Sequence, residues 1–190
     1  GEADPAPPEE DALLDNVGER KPPAAGGRIT VTLATTRGPR PDSAVHLDAT
    51  TADGFLAGYE TLISQEFAAV PEAGAEVRWT TEFAYHGDYE LEVLQSDSVY
   101  DPIIDTLELG FRGRFGSRDG EPVISWHFNT LSEFETFDTK LGELPVTMCL
   151  PKVHNMTGRL RLRGVVDATP IGTLEDGRTV VLVVRKHIPR

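Results

Sequence analysis

Residues 169–188 read TPIGTLEDGRTVVLVVRKHI, and they carry the strongest secondary-structure signal in the chain. Two apolar runs flank Asp176 and Gly177, a dipeptide that favours the tight turn of a β-hairpin. β-Branched residues dominate the second run, as is typical of a buried strand. The stretch therefore predicts two antiparallel strands that reverse at Asp176–Gly177.

Period-two alternation recurs in most of the remaining chain. RITVTLATT at 28–36 places Ile29, Val31 and Leu33 on one face and threonines on the other. Further strands are predicted within 44–50, 76–85, 89–95, 104–115, 122–131, 144–150 and 156–166, with turns at 86–88 and 117–120. About nine or ten strands joined by short turns indicate a mainly β fold. We expect an antiparallel β-sandwich, jelly-roll-like, or a barrel.

One helix is predicted, over residues 52–69. Six apolar residues recur there at helical spacing: Phe55, Leu56, Tyr59, Leu62, Ile63 and Phe67. Thr51 precedes them as a candidate N-cap, and Pro71 follows the expected end.

Residues 1–27 differ in composition from the rest of the chain. They hold five of the fourteen prolines and seven acidic residues, with few apolar side chains. Such a segment cannot bury enough apolar surface to offset its ordering entropy. We therefore predict an acidic, proline-rich, extended N-terminal arm over 1–27 and a single β-sandwich domain over 28–190.

The net charge of −13 is unevenly distributed along the chain. Residues 71–110 carry ten acids and one base, whereas residues 151–190 carry eight bases and three acids. Nucleic acid is an unlikely partner for such a chain, because neutralising phosphates requires a dense basic surface. No run of about 18 apolar residues predicts a membrane span.

The single cysteine, Cys149, excludes an internal disulfide. The sequence is thus compatible with a soluble protein of a reducing compartment, such as the cytoplasm or the mitochondrial matrix. It does not identify the compartment.

The stretch LEVLQSDSVYDPIIDTLEL at 91–109 holds five acids and no base. Hydrophobic Val99 and Ile103 stand where an EF-hand loop needs oxygen ligands, so we predict no metal site. Two interpretations remain open, a solvated strand-loop-strand and an acidic docking face spanning 88–108. The binding residues of that face would be Glu90, Glu92, Asp97, Asp101 and Asp105.

Arginines recur at alternate positions in two predicted strands. Arg112 and Arg114 lie in one, and Arg159, Arg161 and Arg163 lie in or after the other. If the two strands were neighbours, the five side chains would form a basic strip. Such a strip suits phosphate, RNA or the acidic face of another copy. The five histidines are far apart in sequence, and we predict no catalytic residue and no cofactor.

The leading hypothesis is a non-enzymatic subunit that contacts other protein chains through its acidic face and N-terminal arm, as a homo-oligomer. One alternative is a small-molecule-binding or enzymatic barrel. Its cavity would be lined by Trp79, Phe83, Tyr85 and Trp126, with His127 or Asp105 as the polar anchor. The other alternative is an acidic chaperone of basic partners.

Overall fold

The computed structural model describes residues 27–38, 40–68, 70–94 and 97–187, and the backbone alone for 91–94 and 97–100. These ranges form nine strands and one helix, in the order β1 (Arg28–Thr36), β2 (Val45–Leu47), α1 (Ala49–Leu56), β3 (Glu60–Phe67), β4 (Glu76–Leu94), β5 (Asp97–Arg118), β6 (Glu121–Leu141), β7 (Leu144–Arg161), β8 (Val166–Thr173) and β9 (Thr179–His187). The predicted arm lies outside the described residues, apart from Gly27.

The strands form two antiparallel sheets. Sheet A has five strands in the order β2-β8-β9-β1-β3, and sheet B has four in the order β4-β5-β6-β7. Within the described residues the two sheets do not close into a barrel, so the mainly β, sandwich-like prediction is confirmed. The hairpin at Asp176–Gly177 is confirmed as well, with Thr173 opposite Thr179 and Gly177 at a φ of 81°.

The main core lies between the sheets. Sheet A contributes alternate residues of its central strands, such as Ile29 and Leu182, and sheet B contributes Phe111, Ile124 and Trp126. A second, smaller core lies on the other face of sheet A, where Ala52 of α1 packs near Val181. Because β9 is covered on both faces, residues 179–184 are all buried. This explains why its sequence is a continuous apolar run and does not alternate.

The predicted helix over 52–69 is wrong in its extent. The helix ends at Leu56, and its N-cap is Asp48, not Thr51, because the Asp48 side chain accepts hydrogen bonds from the backbone amides of Thr50 and Thr51. Residues 60–67 instead form β3, which pairs with β1 at the edge of sheet A. Residues 60–66 are all exposed, so no buried face imposes alternation on this sequence.

The predicted turn at residues 86–88 is also wrong. The strand continues through this point with a β-bulge between His86 and Asp88, and β4 pairs with β5 as far as Leu94 opposite Asp97. A side chain on Gly87 would collide with the Asp105 carboxylate, so the glycine permits close cross-strand contact. The residues at 89–94 are therefore the end of β4, not a separate strand.

Sheet B is much longer than sheet A. Strand β5 pairs with β6 only between residues 110–118 and 121–129, and beyond them the two strand pairs continue as separate hairpins. We call residues 81–109 the acidic hairpin and residues 130–155 the Phe134 hairpin. The acidic hairpin extends about 45 Å and the Phe134 hairpin about 40 Å, at roughly 3.4 Å per residue. Among the described residues no helix is long and apolar enough to cross a bilayer.

Candidate functional site

The two long hairpins have no core of their own. None of the described side chains at 81–90, 101–109 and 130–155 is buried, and none belongs to either core cluster. The reason is that sheet A has strands of at most nine residues, so among the described elements it does not extend over this part of sheet B. Both hairpins consequently present a large accessible surface.

The two hairpins contact each other at two defined points. The rings of Phe83 and Phe134 meet edge to face, with centroids 5.4 Å apart. Further along, the Tyr89 hydroxyl donates a hydrogen bond of 3.0 Å to the carbonyl oxygen of Thr147. These contacts orient one hairpin against the other, but they leave most of the apolar side chains uncovered.

Large apolar side chains are exposed on both hairpins. The most exposed is Ile104, whose relative accessibility is 60%. The others on the hairpins are Ile103, Phe134, Phe137, Leu144 and Leu150. Exposed apolar side chains in such number are typical of an interaction site.

Strand pairing brings acidic residues together along the acidic hairpin. Glu90 lies directly opposite Asp101, and both are exposed. Asp105 is opposite Tyr85 and exposed, while the backbone positions of Glu92 and Asp97 are opposite Val99 and Leu94. The stretch from 79 to 111 contains no Lys or Arg. Within the described part of the chain, no cation pairs with Glu90, Asp101 or Asp105.

This arrangement is electrostatically unfavourable in an isolated chain. Like charges directly opposite each other in an antiparallel pair destabilise the pairing, as Glu90 and Asp101 do here. A cation placed beside Glu90 and Asp101 would reduce this repulsion. Among the described residues, no group of three metal-ligating side chains lies together.

The five predicted arginines do not lie on neighbouring strands. Strand β6 separates β5, which carries Arg112 and Arg114, from β7, which carries Arg159 and Arg161. The two strands are therefore not neighbours, and the condition for the predicted basic strip is not met. The outward residues of β6 lie between the two groups of arginines. Ser125, for example, has Arg114 opposite it on β5 and Arg159 opposite it on β7.

Three of these arginines are already neutralised. Arg112 and Arg78 both donate to the Glu108 carboxylate. A hydrogen bond from Thr80, together with the two guanidinium groups, lowers the pKa of Glu108 to about 2. Arg161 and Arg163 both donate to Glu121, whose pKa is lowered, with the hydrogen bond from Arg163 the largest cause. These ion pairs are exposed, and such pairs contribute little to stability.

Arg114 and Arg159 differ from the other three. Within the described residues neither guanidinium has a carboxylate within ion-pair distance. They line a shallow pocket of about 380 Å³ together with Phe115, Gly116, Ser117, Arg118, Val123 and Ser125. We call this the arginine pocket. Its lining holds three arginines and two serines but no carboxylate, in a chain whose acids outnumber its bases by 31 to 18.

A buried carboxylate was missed by sequence reasoning. Asp167 on β8 is fully buried, and its Oδ1 accepts hydrogen bonds from the amides of Arg163 and Gly164. The same oxygen lies 2.6 Å from Nδ1 of His46. The sequence signal for this site is an acidic residue within the apolar stretch GVVDAT. A buried strand tolerates a carboxylate only where hydrogen-bond donors surround it. Its contacts indicate that it orders the loop between β7 and β8.

The four aromatics proposed to line a cavity do not share one. Trp126 is part of the core, and Trp79 packs on Phe111 with ring centroids 5.5 Å apart. Phe83 and Tyr85 lie on the acidic hairpin, beyond the sandwich. Within the described region, only Trp126 and His127 of the residues named for this alternative line a common pocket, of about 240 Å³.

The chain matches no protein-family model, no curated protein and no solved structure.

Proposed function

We propose that this chain is a non-enzymatic interaction subunit whose two long hairpins contact other copies of the same chain. The observation that carries the proposal is that no described side chain of either hairpin is buried. A two-stranded hairpin is marginally stable in water, and it needs further strands or a partner to cover an apolar face. A neighbouring copy would cover residues such as Ile104 and Leu150.

The charge of the acidic hairpin supports a partner with a basic surface. Glu90 and Asp101 repel each other across the strand pair, and a cation between them would remove this repulsion. The arginine pocket provides such a surface on a second copy of the chain. Complementary charge would also direct the encounter of the two copies and fix its orientation.

The predicted N-terminal arm is the second contact in this proposal. Its seven acids and five prolines suit an extended segment that contacts a basic surface of a partner. An acidic chaperone is the second candidate function, because the same pair, Glu90 and Asp101, also favours a basic protein of another sequence. The two functions differ in whether the chain assembles with itself.

Light scattering behind a sizing column, over a range of protein concentrations, tests the proposal. We expect oligomers at about 50 mM salt that dissociate at about 500 mM, because salt screens exposed charges. Ile104→Asp should weaken assembly by placing a charge in the apolar contact. The matched control is Thr61→Asp, which adds the same charge at an exposed strand position outside both hairpins, on β3. A monomer at every concentration and salt would contradict self-assembly and leave the chaperone.

A further inference from the structure

The arginine pocket lies on the part of sheet B that packs against the main core. Arg114, Ser125 and Arg159 form one cross-strand row on the outer face of sheet B. The opposite face of the same strands packs into the main core through Phe115, Ile124 and Leu160. The row therefore has a fixed backbone, and its two guanidinium groups arise from strands about 10 Å apart.

Within the described residues, Arg114 and Arg159 have no carboxylate within ion-pair distance, whereas Arg118 of the same pocket lies 3.9 Å from Asp119. Along the same face of sheet B, Arg112 pairs with Glu108, and Arg161 pairs with Glu121. Glu76 is directly opposite Arg114 on β4, yet the two side chains do not reach ion-pair distance. Ser125 adds a hydroxyl between the two unpaired arginines. A guanidinium group that has no carboxylate partner can donate two parallel hydrogen bonds to a carboxylate of another chain.

The acidic hairpin offers the complementary feature. Glu90 and Asp101 are opposite residues, which places their β-carbons about 5 Å apart. The backbones of Arg114 and Arg159 are about 10 Å apart, so the two carboxylates fit between their side chains. Each carboxylate can then contact one guanidinium group. The two features lie on different parts of sheet B, the pocket on the sandwich and the pair near the end of a hairpin.

We infer that the arginine pocket of one copy receives Glu90 and Asp101 of the acidic hairpin of a second copy. This inference rests on the proposed self-assembly, and it identifies the surface that receives the hairpin. The contact joins two different surfaces of the chain, so it is heterologous. Repetition of such a contact generates a ring or an open filament.

A charge-exchange experiment tests the inference. One variant carries Glu90→Arg with Asp101→Arg, and the other carries Arg114→Glu with Arg159→Glu. We expect each variant alone to lose assembly, with the apparent dissociation constant raised at least about tenfold. An equimolar mixture should assemble again, because the basic hairpin of the first then meets the acidic pocket of the second, and the two unaltered partners still match.

Two control variants carry the same types of charge change at other places. Arg185→Glu alters an arginine of sheet A that pairs with exposed Asp53. Asp42→Arg alters an exposed residue between β1 and β2, outside both hairpins. Both should assemble like the wild type, and circular dichroism should show that all four variants are folded.

The outcomes separate the inference from the proposed function. If the wild type and the variant Arg114→Glu with Arg159→Glu assembled equally well, the inference would be overturned. The proposed self-assembly would then still stand. Two variants that fail alone and stay apart when mixed would also overturn it. A pocket that binds inorganic phosphate without any change in assembly would show a small-anion site, and it would equally exclude the inferred contact. A monomeric wild type would remove both proposals.

Discussion

Nδ1 of His46 lies 2.6 Å from Oδ1 of Asp167, and it links edge strand β2 to a carboxylate that is fully buried in β8. The same oxygen accepts hydrogen bonds from the backbone amides of Arg163 and Gly164. The nearest cation to the other carboxylate oxygen, Oδ2, is Nζ of Lys186, at 4.0 Å. A buried carboxylate is costly unless donors surround it. Asp167 thereby ties together the edge of sheet A and the loop that leads into it.

We expect Asp167→Ala to lower the free energy of unfolding by about 3 kcal/mol, because it leaves the amides of Arg163 and Gly164 without an acceptor. Asp167→Asn keeps an acceptor oxygen and should cost less. Chemical denaturation monitored by circular dichroism measures both. Asp53→Ala, at an exposed carboxylate, serves as the control and should change stability by less than about 0.5 kcal/mol. Equal losses for Asp167→Ala and Asp53→Ala would contradict the structural role of Asp167.

Two glycines should respond to alanine in opposite directions. A side chain on Gly158 would collide with the indole ring of Trp126, so Gly158→Ala should destabilise the protein by about 1–3 kcal/mol. Gly54 lies within α1 with open space around it, so Gly54→Ala should stabilise by up to about 1 kcal/mol. Thermal unfolding measures both, and tryptophan fluorescence should change only for Gly158→Ala. A neutral Gly158→Ala would contradict the tight contact between β7 and β6.

The edge-to-face contact between Phe83 and Phe134 should hold the two hairpins together. We expect Phe134→Ala to speed amide hydrogen exchange along both hairpins and to cost about 1 kcal/mol. The control is Phe137→Ala on the same strand, at a phenylalanine exposed to a similar degree. If both variants gave the same exchange profile, the aromatic pair would not be the contact that orients the hairpins.

The Glu108 carboxylate should titrate far below its ordinary pKa of 4.5. The pKa is lowered to about 2, with the hydrogen bond from Thr80 the largest cause, and Thr80→Val should raise it. Because the folded pKa is depressed, the stabilisation from Glu108 is complete above about pH 4.5 and is lost as the pH falls towards 2. Carboxyl-carbon NMR titration measures the value. Thr81→Val is the control, and an unchanged pKa in Thr80→Val would contradict the role of Thr80.

Local sequence patterns determined the fold class. Strands covered on one face alternate, as Ile29, Val31 and Leu33 do, because side chains of a strand point to opposite faces in turn. The Asp176–Gly177 turn was also readable, since a tight hairpin needs a residue that tolerates positive φ. Sequence reasoning failed where burial did not impose a pattern. The spacing of apolar residues in the exposed strand β3 predicts a helix, and residues 86–88 predict a turn where the strand has a bulge.

The candidate site depended on information that local patterns do not contain. The sequence showed which carboxylates and arginines cluster along the chain, but strand order decided which of them meet. Register placed Glu90 opposite Asp101, and strand order placed Ser125 of β6 between Arg114 and Arg159. The burial of Asp167 beside His46 joins residues 121 positions apart. Alternation specifies a face within one strand, whereas neighbours across a sheet result from packing of the whole chain.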